Sequence, residues 1–175
     1  NCARWYLRLK AVTMKKYRGI LVVGGTGSGK TTFIKKYVVN NYKGTKYIFD
    51  INNEYKEGLM MPMEKFLGAV KGVSNSLIIF EEATIFFSNK GDVSALRYLL
   101  VSKRHRNNII LFTFHSLQSI PLNIFSLCDL LVLHKTNDNV GLIERKYGQH
   151  VDIYDAFVEL SGSPHRFDRR AVKLR

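Results

Sequence analysis

The stretch GILVVGGTGSGKT, residues 19–31, joins an apolar run to a glycine-rich loop that ends in Lys and Thr. The apolar run is continuous rather than alternating, which is typical of a strand buried on both faces of a sheet. Residues 24–31 match the spacing GxxxxGK followed by Ser or Thr, and a helix-like segment comes next. A glycine-rich loop between a strand and a helix predicts a phosphate-binding loop, so we expect the chain to bind ATP together with Mg²⁺.

The residues of this loop have distinct predicted roles. Glycines let backbone N–H groups approach phosphate oxygens, because no Cβ stands in the way. Together with the helix N-terminus these groups favour the β-phosphate, while Lys30 reaches the β- and γ-phosphates and the Thr31 hydroxyl binds Mg²⁺. The residues predicted to bind the nucleotide are Gly25, Thr26, Gly27, Ser28, Gly29, Lys30, Thr31 and Thr32.

Short apolar strands alternate with helix-like segments along the rest of the chain. The predicted strands are residues 19–23, 47–51, 77–80, 109–114 and 130–134, and the predicted helices are residues 31–40, 63–70 and 93–104. Strands separated by helices pair in parallel through right-handed crossovers, so the predicted fold class is α/β, a three-layer αβα sandwich with a mainly parallel sheet. We expect one domain over residues 1–175, with its core at about 19–160 and the polar, basic residues 161–175 as a tail.

Composition narrows the class of partner. Hydrophobic residues make up 46% of the 175 residues and charged residues 23%, the range of a globular domain. Lys and Arg total 27 against 14 Asp and Glu, a net charge of +13 that favours a polyanion such as DNA. A lysine-rich surface or a membrane-facing patch would give the same excess of charge.

Cysteine usage and hydropathy indicate a reducing, cytoplasmic location. Cys2 and Cys128 lie far apart and lack the CxxC spacing of metal sites. No stretch approaches the roughly 20 apolar residues that a membrane-spanning helix needs. We therefore expect no disulfide, no zinc site and no membrane span.

The segment LIIFEE, residues 77–82, is a predicted strand that ends in two carboxylates. In an open parallel sheet, ligands bind beyond the carboxyl ends of the strands, which brings this pair close to the phosphate-binding loop. We assign Glu81 to Mg²⁺ and Glu82 to the attacking water, because phosphoryl transfer depends on positioning and charge neutralisation. Asp50 lies at the end of the second predicted strand and Glu54 just after it, and these acids either lie near the nucleotide or cap a turn.

The next segment carries a family resemblance. Residues 103–107, KRHRN, precede a strand that continues into His115, and Gln118 and Ile120-Pro121 follow. This order is similar to that of the FtsK/HerA superfamily of P-loop ATPases, and within it to compact viral genome-packaging ATPases, over about residues 19–136. The resemblance implies a RecA-like sheet and a γ-phosphate sensor at His115, where that family usually has Gln; Gln118 is the alternative.

The resemblance also implies a homo-oligomeric ring, a pentamer or hexamer, in which a neighbouring subunit completes each ATP site with an arginine. Arg104 and Arg106 are the candidates for that residue. Loops facing a central pore would contact the phosphates of double-stranded DNA without reading its bases. Residues available to such loops are Lys43, Lys46, the segment 88–90, Arg145 and Lys146, although they form no basic patch in the sequence.

These observations favour an ATP-hydrolysing motor that translocates double-stranded DNA, carrying a viral genome into a capsid through portal or vertex proteins. Such a motor would act in the host cytoplasm or at a virion vertex. One alternative is a small P-loop kinase or phosphotransferase, which usually needs an Arg-rich lid over its substrate. The other is a phage assembly ATPase resembling the zonula-occludens-toxin-like proteins, which usually carry a membrane span.

Overall fold

The computed structural model describes residues 16–59, 61–87 and 90–174 of the chain. Its strands are β1 Gly19–Val23, β2 Thr45–Phe49, β3 Gly58–Leu59, β4 Ser76–Phe80, β5 Ile109–Phe114, β6 Leu130–His134 and β7 Arg169–Lys173. Its α-helices are α1 Lys30–Ile34, α2 Met63–Val70, α3 Lys90–Ser102, α4 Leu122–Phe125, α5 Val140–Tyr147 and α6 Val151–Gly162. A π-helical segment, Lys35–Val39, continues α1, and a 3₁₀ turn, Ala83–Phe87, follows β4.

The strands of the described residues form one sheet in the order β3-β2-β4-β5-β1-β6-β7. The pairs among β1 to β6 are parallel, and Leu21 at the centre of β1 lies beside Phe112 of β5 and Leu131 of β6. Every residue of β1, β4, β5 and β6 is buried, because both faces of the sheet are covered. The continuous apolar runs of the sequence therefore correctly predicted the central parallel strands.

Two apolar clusters lie on the two faces of the sheet. Leu21 and Val23 join a cluster that includes residues of α2, α3, α5 and α6, whereas Ile20 and Val22 join one that includes Phe33 of α1. This alternation follows from strand geometry, in which successive side chains point to opposite faces. The predicted α/β three-layer sandwich with a mainly parallel sheet is confirmed.

Several element boundaries differ from the prediction. The strand predicted at 47–51 spans Thr45–Phe49, and the Asp50 carboxylate beyond it accepts a backbone N–H of the following loop at 2.7 Å. The helix predicted at 31–40 divides into α1 and the π-helical segment, and the helix predicted at 93–104 is α3, displaced toward the N-terminus. At the end of β2, the Asp50 side-chain hydrogen bond competes with the regular ladder.

The prediction of a tail at 161–175 is wrong for most of that segment. α6 extends to Gly162, and all of β7 pairs antiparallel with β6, with Val172 only 7% exposed. The sequence RRAVK lacks the apolar run used to predict the other strands. An edge strand has one neighbour, and natural edge strands commonly carry charged side chains. The C-terminal segment therefore completes the sheet and is not an appendage.

No helix within residues 16–59, 61–87 and 90–174 is both long and apolar enough to cross a bilayer. Cys128 is buried in the larger apolar cluster. Cys2 and residues 88 and 89, part of the loop predicted to contact DNA, lie outside the described residues.

Candidate active site

The phosphate-binding loop, residues 24–29, follows β1 and is held between the ends of the two neighbouring strands. The Gly24 N–H donates to the Phe114 carbonyl at the end of β5 at 3.0 Å. The Gly25 N–H donates to the Lys135 carbonyl just after β6 at 2.9 Å. Because α1 begins directly after the loop, the backbone is fixed at both ends and lies at the carboxyl edge of the sheet, as ligand sites of such sheets do.

The geometry of the loop requires its glycines. Gly27 and Gly29 have φ of 70° and 90°, left-handed values that residues with a Cβ rarely adopt. A Cβ on Gly24 would lie 2.5 Å from Ser28 Oγ and 2.6 Å from the Cβ of His134. His134 Nδ1 donates to the Ser28 carbonyl at 3.0 Å, and burial lowers the pKa of this histidine to about 4, so it stays neutral. Buried protein groups therefore pack against the loop. A side chain at Gly24, Gly27 or Gly29 would displace it.

Lys30 is the first residue of α1 and is 9% exposed. Its ammonium donates to the Gly24 carbonyl at 2.6 Å and to the Gly25 carbonyl at 3.3 Å, and it lies 3.4 Å from His115 Nδ1. Burial lowers the pKa of Lys30. Three nearby carboxylates oppose that shift: those of Glu82, Glu81 and Glu54. The predicted phosphate-binding lysine and the predicted acids therefore share one site.

Glu81 follows β4 directly and is 5% exposed. The Tyr55 hydroxyl donates to its Oε1, and Thr113 Oγ1 donates to its Oε2 at 2.5 Å. Burial raises the pKa of Glu81, whereas the hydrogen bonds from Thr113 and Tyr55 lower it. The carboxylate is thus fixed in a polar niche between β5 and the loop after β2.

Thr31 Oγ1 donates to Glu54 Oε2 at 2.7 Å, so Glu54 stands beside the loop threonine where the sequence suggested Glu81. Asp50, which is 1% exposed, accepts the Tyr55 N–H and closes the loop that carries Glu54. The sequence left open whether these acids cap a turn or lie near the nucleotide. In the structure Asp50 closes the turn, and Glu54 lies beside the phosphate-binding loop. A hydroxyl and a carboxylate at this spacing are oxygen donors of the kind that Mg²⁺ prefers.

Glu82 has a φ of 53°, a left-handed conformation that is uncommon for residues other than glycine. Its N–H donates to Thr113 Oγ1 at 3.0 Å, and its Oε1 lies 2.6 Å from His115 Nε2. Because an ionised carboxylate only accepts, this contact places the imidazole hydrogen on Nε2 and leaves Nδ1 to accept from Lys30. Strained backbone of this kind clusters at functional sites, and here it directs the carboxylate from β4 toward the end of β5.

Comparison with known proteins assigns the chain to a family. The sequence profile described as "Helicase HerA, central domain" matches residues 6–152, most of the chain. The chain belongs to this family. Its membership confirms the FtsK/HerA resemblance indicated by the residues after β4. A search of curated protein sequences found no significant match.

Solved structures of a viral protein share the fold of this HerA-family chain. The genome packaging NTPase B204 from Sulfolobus turreted icosahedral virus 2, in complex with ATP-gammaS, has a TM-score of 0.68 at 17% sequence identity, covering 90% of this chain and 92% of that one. B204 from Sulfolobus turreted icosahedral virus, described as a DNA-packaging ATPase, has a TM-score of 0.69 at 16% identity, covering 89% and 91%. At such identities the likeness shows the fold, and function has to be argued from the site.

Arg104 and Arg106 lie at the opposite edge of the sheet from the phosphate-binding loop of this HerA-family domain. Arg104 Nη2 lies 3.4 Å from Oδ1 of Asp129, the residue before β6, and Arg106 Nη1 donates to the Gly72 carbonyl at 2.8 Å. The Arg106 carbonyl accepts the N–H of Asn75, directly before β4. Both arginines therefore flank the amino ends of strands, and neither lies beside the phosphate-binding loop of its own chain.

The residues considered for DNA contact are dispersed. Lys146 donates to the carbonyls of Gln118 and Ile120 at 2.6 and 2.7 Å, which gives it a structural role inside the fold. Lys46 lies 3.7 Å from the Glu57 carboxylate. Among the members of this set whose side chains the structure describes, Lys43 and Arg145 are exposed.

Sequence reasoning missed four residues that the HerA-family fold brings to the site: Tyr55, Thr113, Arg166 and Phe167. Thr113 is the one polar residue in the strand IILFTF, and a polar residue inside an apolar run is a usable indication of a role. Arg166 Nη2 lies 3.4 Å from the Thr26 carbonyl, across a sequence separation of 140 residues. No local pattern marks Arg166 or Phe167, because their relevance depends on how β7 pairs.

Proposed function

We propose that the chain hydrolyses ATP to translocate double-stranded DNA, acting as a homo-oligomeric ring that packages a viral genome. The observation that carries the proposal is the chain of contacts from Glu82 through His115 to Lys30, with distances of 2.6 and 3.4 Å. It links an acid, a polar sensor and the phosphate-binding lysine, groups that can position water and neutralise charge in phosphoryl transfer. The description of B204 from Sulfolobus turreted icosahedral virus as a DNA-packaging ATPase supports DNA as the cargo.

The first part of the mechanism is binding of the triphosphate. The loop amides and Lys30 hold the phosphates, and the Thr31 hydroxyl and the Glu54 carboxylate, 2.7 Å apart, fit a Mg²⁺ ion. When bound, such an ion would neutralise charge on the phosphates. Glu81 accepts one hydrogen bond at each oxygen, from Tyr55 and Thr113, and would supply a fixed negative charge near Lys30 and the ion.

The second part is activation of the attacking water. The Glu82 side chain is 23% exposed, so water can reach it, whereas Glu81 is enclosed. Glu82 takes a proton from that water as general base, a role worth about 10²- to 10⁴-fold in rate. His115 holds Glu82 through Nε2–H and senses phosphate through Lys30, because a γ-phosphate that attracts the Lys30 ammonium weakens its contact with Nδ1.

The third part is assembly. Arg104, with a side chain 71% exposed, would reach the ATP site of the next subunit in a pentameric or hexameric ring, with Arg106 as the alternative. Both arginines lie away from the phosphate-binding loop of their own chain, which supports a role in the site of another subunit. The net charge of +13 suits a pore that holds DNA phosphates, and capsid portal or vertex proteins are the expected docking partners. The proposed location is the host cytoplasm or a virion vertex.

The decisive experiment is steady-state ATP hydrolysis with and without long double-stranded DNA, using the wild type and Glu82→Gln. We expect DNA to stimulate the wild type, and Glu82→Gln to lower kcat by at least about 10²-fold while ATP still binds. Glu144→Gln, at an exposed position on α5, is the matched control and should behave as the wild type.

Two outcomes would contradict the proposal. Hydrolysis that is indifferent to DNA at low salt, but is accelerated by a small hydroxyl acceptor, would indicate a phosphotransferase. Full activity of Glu82→Gln would remove the assignment of the general base.

A further inference from the structure

The connection between α6 and β7, residues 163–168, lies at the same edge of the sheet as the phosphate-binding loop. β7 runs antiparallel to β6, so its first residue, Arg169, pairs with His134 at the carboxyl end of β6. The residues just before β7 are thereby brought to the edge where β1 ends. We call residues 163–168 the C-terminal loop.

Two consecutive side chains of the C-terminal loop contact the glycines of the phosphate-binding loop. Arg166 Nη2 lies 3.4 Å from the Thr26 carbonyl and would be 2.1 Å from a Cβ on Gly27. Phe167 Cδ1 would be 3.2 Å from a Cβ on Gly29, yet the Phe167 side chain remains 64% exposed. A guanidinium and an open aromatic face therefore stand against the backbone that binds phosphates.

The order of the strands decides which end of a nucleotide would meet these side chains. Glu82 follows β4 and His115 follows β5, on one side of β1, whereas the C-terminal loop lies on the other side, beside β6 and β7. The γ-phosphate has to point toward the hydrolytic groups. The nucleoside end consequently points toward the C-terminal loop.

We propose that Phe167 stacks on the purine base of the bound nucleotide and that Arg166 contacts the phosphate nearest the nucleoside. This inference rests on the ATP site of the proposed function and assigns its nucleoside half. A purine offers a flat π-face, and an exposed ring beside the phosphate loop gains from covering it. A guanidinium forms charge-assisted hydrogen bonds with phosphate, which are shorter than its 3.4 Å contact with a neutral carbonyl.

Hydrogen bonds within the protein hold the C-terminal loop in place. Lys135 Nζ donates to the Ser163 carbonyl at 2.8 Å, and Ser163 Oγ donates to Asp168 Oδ2. The His165 N–H donates to Ser163 Oγ at 3.2 Å, which closes the turn. Because Lys135 also holds the Gly25 N–H through its carbonyl, one residue fixes both loops relative to each other. A positioned ring loses little conformational entropy on binding, which favours its use as a base platform.

The test separates the base from the phosphates by calorimetric titration with a non-hydrolysable ATP analogue and with inorganic tripolyphosphate. Phe167→Leu keeps the apolar volume but removes the ring, and we expect it to weaken binding of the analogue about tenfold while tripolyphosphate binds as to the wild type. Phe167→Tyr should bind both as the wild type does. Arg166→Gln should weaken both ligands about tenfold, since it removes a phosphate contact. Val151→Ala, at the other end of α6 and 62% exposed, is the control and should change neither.

Each alternative result has a clear meaning. Unchanged binding of the analogue to Phe167→Leu overturns the stacking assignment while the ATP site stands. Equal weakening of both ligands by Phe167→Leu also overturns it, because the ring would then act only by supporting the phosphate loop. If the wild type binds neither ligand, the proposed function fails together with this inference.

Discussion

Removal of one hydroxyl from the niche around Glu81 should destabilise the protein in a pH-dependent way. Tyr55, Glu81 and Thr113 are 4%, 5% and 1% exposed, so a lost donor cannot be replaced readily by solvent. Tyr55→Phe removes the hydrogen bond to Oε1 and leaves Thr113 as the remaining hydroxyl donor described for this carboxylate. Hydrogen bonds to charged groups contribute about 1.5–3 kcal/mol, and those between neutral groups about 0.5–1.5 kcal/mol.

The direction of this pH dependence follows from the pKa of Glu81. Burial raises that pKa in the folded state, so the ionised carboxylate lowers the free energy of unfolding once pH rises through the folded pKa. The Tyr55 hydroxyl lowers the pKa again, and its removal should raise it further. The substitution should therefore cost about 2 kcal/mol at a pH above the folded-state transition of Glu81, where the carboxylate is ionised, and about 1 kcal/mol at a pH below it, where the hydrogen bonds join neutral groups.

Thermal and urea unfolding at the two pH values measure this difference. For a chain of this size, about 2 kcal/mol corresponds to a Tm lowered by about 4–8 °C at the higher of the two pH values. Tyr42→Phe is the matched control, because the Tyr42 hydroxyl donates to the Asn75 carbonyl at 2.8 Å at an exposed site and faces no buried acid. The acid limb of the ATPase pH profile should also move to higher pH in Tyr55→Phe. Equal destabilisation at both pH values, or no more than that of Tyr42→Phe, would refute the reasoning.

Three further predictions test other parts of the site. Gly24→Ala should abolish nucleotide binding in calorimetry, because its Cβ would lie 2.5 Å from Ser28 Oγ; retained affinity would show that the loop can move aside. Glu54→Gln should raise the Mg²⁺ concentration for half-maximal hydrolysis about tenfold, since it weakens a charged oxygen donor, and an unchanged Mg²⁺ titration would dismiss Glu54 as a ligand. Mixing inactive Arg104→Ala with inactive Glu82→Gln subunits should restore part of the activity in mixed rings; inactivity at every ratio would argue against an arginine acting between subunits.

Much of the fold could be predicted because its central strands are continuous apolar runs. The strands predicted at 109–114 and 130–134 have those bounds in the structure, and both are buried along their whole length. A continuous apolar run could not reveal β7, because this edge strand has a single buried residue, Val172. Such runs also gave no indication of α5 or α6, whose apolar faces are interrupted by polar residues.

What the sequence determined by itself is the phosphate-binding loop and the pair of acids after β4. Those features are local: the glycines are required by backbone conformation within a few residues, and the acids follow directly from the end of a buried strand. Only the tertiary structure decided that Glu54 meets Thr31, across 23 residues, and that Arg166 meets Thr26, across 140. Contacts at such separations are set by the order in which strands pair, and strand order is a property of the whole sheet that no single segment encodes.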